Sequence, residues 1–68
     1  MIRMDEELRA ALERIARFQQ QIEYLRRVEP DPTNYRLSAA GFLAEIDRMN
    51  LEVREYLSLH PSEAPTSA

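Results

Sequence analysis

From Met4 to Val28 the apolar residues return at alternating steps of three and four: Leu8, Ala11, Leu12, Ile15, Phe18, Ile22 and Leu25. A heptad register fits them without a break. Leu8, Ile15 and Ile22 take the a positions and Ala11, Phe18 and Leu25 the d positions, while Met1 and Met4 extend the seam backwards. The spacing predicts one long helix over about residues 5–28, with Asp5 as its N-cap. Glu6 and Glu7 in the first turn, with Arg26 and Arg27 in the last, suit the helix dipole. On the outer face Glu13 can pair with Arg17 and Glu23 with Arg27, each four residues apart.

The stretch Glu29-Pro-Asp-Pro-Thr-Asn-Tyr35 stops that pattern, because each proline lacks an amide donor and pushes its predecessor out of the helical region. It predicts a turn over residues 29–37. A second seam follows at Phe42, Leu43, Ile46, Met49, Val53, Tyr56 and Leu57, predicting a helix over about 38–59 that stops at His60-Pro61. Ser38 is placed to cap it, with Leu37 packing on Phe42 as a hydrophobic staple. Residues 1–60 then form one all-α antiparallel helical hairpin. Residues 61–68, with Pro65 and small polar side chains, read as a disordered tail.

A hairpin closing about the middle of that turn brings together residues whose numbers sum to about 68. Leu25 then faces Leu43, Ile22 faces Ile46, Ile15 faces Val53, and Ala11 faces Leu57. Gln19 and Asn50 fall level near the middle, where they either meet as a register-setting amide pair or sit at the edge in water. The expected core is Leu8, Ile15, Phe18, Ile22, Leu25, Phe42, Leu43, Ile46, Met49, Val53 and Leu57. Leu12, Leu51 and Leu59 are left over on a lone hairpin. Two hairpins dimerising into a four-helix bundle would bury this surplus, and a chain of 68 residues has little core otherwise.

Composition narrows the functional classes. Hydrophobic residues at 44% and charged ones at 31% suit a folded domain rather than a disordered chain. With no cysteine, neither a disulfide nor a thiolate metal site can staple the chain. The net charge of −3 disfavours nonspecific phosphate binding. All nine basic residues are arginine, a choice that fits a GC-rich genome as well as it fits forked recognition of anions. The N-terminus has charges at Arg3, Asp5, Glu6 and Glu7, and the longest apolar run, Leu37 to Ala44, is too short for a membrane span. The expected location is the cytoplasm.

Catalytic chemistry has little to draw on. His60 is the one histidine, no Glu-x-x-His pair exists, and no lysine or second histidine could activate Ser38 or Ser58. Glu45, Asp47, Glu52 and Glu55 interleave with Arg48 and Arg54, which reads as a salt-bridged surface. The chain has one glycine, so a phosphate-cradling loop is excluded; Ser38 to Gly41 reads as a plain helix start. No enzyme, cofactor, metal or small-molecule substrate is expected. The expected role is a helical protein–protein interaction or regulatory module, acting as a homodimer or completing another protein's bundle. Candidate partner contacts are Leu51, Leu59 and the turn residues Arg26, Arg27, Tyr35 and Arg36. The alternative is a small nucleic-acid-associated regulator using those arginines. Small bacterial regulators, antitoxins and assembly factors share such an architecture, which by itself does not choose among them.

Overall fold

The computed structural model describes residues 1–63. Two helices, α1 (Asp5–Val28) and α2 (Pro32–Leu57), lie side by side as an all-α hairpin, with no strand among the described residues. The molecule is a rod of 49 × 16 × 15 Å whose radius of gyration is 15.2 Å. A compact chain of this length would have about 11 Å. No helix among the described residues is long and apolar enough to cross a membrane.

α1 has the predicted bounds, but its N-cap is Met4, which makes no side-chain cap; Asp5 is already helical. The start is held instead by Glu7, whose Oε1 accepts from the Arg3 amide at 3.1 Å. α2 departs further from expectation. It begins at Pro32, six residues before Ser38, and its N-cap is Asp31, whose Oδ1 accepts from the Thr33 amide at 2.9 Å. The two prolines act oppositely. Pro30 holds Glu29 extended at φ −98°, ψ 108° and ends α1, whereas Pro32 occupies the first turn of α2, where its missing donor costs nothing. Leu37 is consequently inside the helix and 72% exposed, so no staple on Phe42 forms. α2 ends at Leu57, and Ser58 caps it with its amide on the Arg54 carbonyl. Beyond it His60 to Glu63 close a turn, with the Glu63 amide on the His60 carbonyl at 2.8 Å. Of the expected tail, Pro61 to Glu63 lie in this turn, and residues 64–68 lie outside the described residues.

The shorter connection moves the pairing by about one heptad. Phe18 stacks on Phe42, with ring centroids 5.5 Å apart and planes tilted by 60°. At the open end the Tyr56 hydroxyl donates to Asp5 Oδ1 at 2.7 Å. Facing residues therefore sum to 60 or 61 rather than 68, so Leu25 with Leu43 and Ala11 with Leu57 do not face each other. Because a slip of seven residues carries a and d positions onto a and d positions, α1 keeps its inward face. On α2 the inward seam becomes Tyr35, Ala39, Phe42, Ile46, Met49, Val53 and Tyr56, in strict steps of four and three.

Ile2, Ile15, Ile46, Met49 and Val53 are the buried core, with Leu8, Ala11, Phe18, Ile22 and Tyr56 packed against it. Ala39 is the most buried side chain, at 1% exposure. Leu25 and Phe42 are half-buried. Leu43 and Leu57, expected in the core, are exposed, as are both Gln19 and Asn50, so no buried amide pair forms.

Candidate interaction surface

Two flanks run along the rod, one on each side of the seam. With Ala39, Ile46 and Val53 at a and Phe42, Met49 and Tyr56 at d, the residue before each a position falls on one flank of an antiparallel pair. The residue after each d position falls on the other. The first flank carries Glu7, Arg14, Glu45 and Glu52. The chain itself covers part of it near the open end, where Met1 and Ile2 lie beside Glu7, Arg14, Met49 and Glu52. Ile2 joins the core there, and Arg48 ties the surface together, reaching Glu45 at 2.6 Å and Glu52 at 3.3 Å. The Glu45 carboxylate raises the pKa of the Arg48 guanidinium, first by accepting its hydrogen bond and then by its charge. Leu59 belongs to this side, lining a shallow groove with Met1, Ile2, Glu52, Glu55 and Tyr56.

The second flank is open. It carries Leu12, Gln19 and Arg26 from α1 and Leu43, Asn50 and Leu57 from α2, and Ala44 and Leu51 continue it around the outside of α2. Leu12 is 46% exposed, Leu43 49%, Leu51 54% and Leu57 62%. Leu51 and Leu59, grouped by the sequence as outward contacts, therefore lie on different sides.

Two charges interrupt the apolar surface of α2, Asp47 and Arg54, one heptad apart and of opposite sign. The residues three and four away from Asp47 are Leu43, Ala44, Asn50 and Leu51; those around Arg54 are Asn50, Leu51, Leu57 and Ser58. Neither charge therefore has an ion-pairing neighbour along the helix. Among the described residues the side-chain ion pairs all gather on Arg48, and the expected pairs Glu13 with Arg17 and Glu23 with Arg27 do not close. The salt-bridged surface read from the sequence thus exists around Arg48 and stops short of Asp47 and Arg54.

The turn-end candidates are dispersed. Arg26, Arg27 and Arg36 are exposed, and Arg26 lines a shallow depression with Glu29, Pro30, Pro32 and Tyr35. Tyr35 is half-buried at the inward seam. His60 is exposed, its Nδ1 within 2.9 Å of Ser62 Oγ, and no three His, Asp or Glu side chains converge among the described residues. Sequence reasoning missed Ile2, Ala39, Asp47 and Arg54. The isolation of the last two was legible in their neighbours three and four residues away. Comparison with protein families, with curated proteins and with solved structures returned no match to this chain, so the surface itself carries the functional argument.

Proposed function

We propose that this chain is a small non-enzymatic interaction module that acts by packing helix against helix, as a homodimer of hairpins forming a four-helix bundle. The observation that carries the reading is the asymmetry of the two flanks. One is polar and partly covered by Ile2, while the other leaves Leu12, Leu43, Leu51 and Leu57 between 46% and 62% exposed. A single layer of two helices buries one stripe of each, and a stable domain needs a second layer over an apolar face of this kind. The accessible surface is 5457 Å², roughly 1,000 Å² above the ~4,450 Å² expected of a compact monomer of this mass.

The test is thermal melting by circular dichroism over a hundredfold range of concentration, with solution mass recorded on the same samples. Association raises the melting temperature with concentration by mass action. A fully helical monomer whose melting does not move with concentration refutes the proposal.

A further inference from the structure

We infer that the open flank is covered by a second copy lying antiparallel, α2 against α2, about a twofold axis passing α2 between Asn50 and Leu51. The inference rests on the homodimer reading above and adds its geometry. What selects this arrangement is the self-complementarity of the face. Residues of the two copies whose numbers sum to 101 lie level: Asp47 meets Arg54 of the second copy, Arg54 meets its Asp47, Leu57 meets its Ala44, and Leu43 lies beside its Leu57. Both isolated charges acquire opposite partners in one operation.

The competing arrangements fail on the same charges. Parallel packing sets Asp47 on Asp47 and Arg54 on Arg54. Sliding the antiparallel pair by seven residues keeps apolar against apolar, yet puts Asp47 on its own copy in one direction and Arg54 on its own copy in the other. Facing residues sum to 60 or 61 within a chain, so the axis passes α1 near Ala10, with the two copies of Arg9 and of Leu12 on either side of it. The two α2 helices then overlap over residues 44–57, about 20 Å at ~1.5 Å per residue. The turns, with Arg26, Arg27 and Arg36, project free at opposite poles.

The test uses charge swaps on the full chain, read by analytical ultracentrifugation and helicity. Asp47→Arg and Arg54→Asp each set like charges together twice and weaken dimerisation by about tenfold or more. The double swap in one chain, and an equimolar mixture of the two single variants, each restore it toward wild type. Where a single variant loses helicity through loss of its partner, recovery of helicity on mixing carries the same meaning. Single variants as dimeric as wild type, or a double swap and mixture that recover nothing, overturn the geometry while homodimerisation stands. A monomeric wild type overturns both.

Discussion

Ala39 and Ala40 are neighbours of the same type in the same helix, one on the inward seam and one beside it, so together they test the phase of α2 directly. Ala39 is 1% exposed and lies level with Ile22, whereas Ala40 is exposed. Replacing each with Glu removes the same helix propensity and adds the same charge, so the difference between the two variants reports the environment alone. At position 39 the carboxyl must either leave the seam or be held neutral. Holding a group of ordinary pKa ~4.3 protonated at pH 7 costs about 3.7 kcal/mol, at ~1.36 kcal/mol per pH unit. A chain of this length has about 3–10 kcal/mol of net stability. Ala39→Glu is therefore expected to lower the melting temperature by about 15–30 °C, or to abolish the cooperative transition. Ala40→Glu should stay within about 0.5 kcal/mol of wild type. The sign with pH follows from the raised folded-state pKa at position 39: the electrostatic penalty is present above the unfolded pKa and vanishes as pH falls below it. Ala39→Glu should regain part of its stability between pH 7 and pH 4. Melts at 222 nm at both pH values decide the matter. Equal effects of the two substitutions would refute the seam through Ala39 and with it the shifted register.

Four further outcomes follow from single positions. Asp31→Ala removes the cap on Thr33 and should cost about 1 kcal/mol, roughly 4–8 °C in melting temperature. Ser38→Ala, which the sequence alone would rank as the cap deletion, should change stability by less than about 0.5 kcal/mol. Gly41 is helical with open space around an added Cβ, so Gly41→Ala should stabilise by about 0.5–1 kcal/mol, read as a higher melting temperature. The Tyr56 hydroxyl is held above its ordinary pKa of ~10 by its hydrogen bond to Asp5, then by partial desolvation and by the charges of Asp5 and Glu7. A raised folded-state pKa makes this contact complete below the unfolded pKa and lost as pH rises through the folded one. In an alkaline absorbance titration, Asp5→Asn should move the Tyr56 component to lower pH; an unchanged titration would show that the hydrogen bond does not form in solution.

The two helices were legible because a heptad seam needs only apolar residues at regular steps, and α1 shows such steps from Leu8 to Leu25. The register was not, because the same seam is indifferent to a slip of seven residues and only the turn resolves it. That turn was misread at Pro32. Two prolines two residues apart look alike in sequence, but Asp31 ahead of Pro32 and Thr33 behind it make a cap and a first turn rather than a second break. Leu43 and Leu57 each follow a d position and fall on the open flank, while Ala39 and Tyr35 take the inward positions nearer the turn. Leucine at 43 and 57 outweighs alanine at 39 in any hydrophobicity count, so composition pointed to the wrong stripe. Ile2 escaped notice because it precedes the helix, and its burial depends on the path of three residues across a flank.

In the proposed dimer the degeneracy that hid the register inside the hairpin returns between copies, where no turn exists to remove it. A purely apolar open flank would let two α2 helices settle at any slip of seven residues, giving a mixture of dimers rather than one. Asp47 and Arg54, opposite in sign and one heptad apart, are the smallest pattern that penalises each such slip, since either direction sets one of them against itself. Exposed pairs contribute only ~0.2–1 kcal/mol each, so in the proposed dimer they would choose among arrangements that apolar contact already favours. The chain contains no cysteine, which makes the choice measurable. Asn50→Cys places one thiol from each copy near the axis and should form an intermolecular disulfide under mild oxidation. Adding Asp47→Asn and Arg54→Gln removes the charges without adding repulsion. The dimer should then persist by mass while the disulfide yield drops, because the copies spread over several registers. An undiminished yield would mean that Leu12, Leu43, Leu51 and Leu57 set the register by shape, and that the two charges only tune its strength.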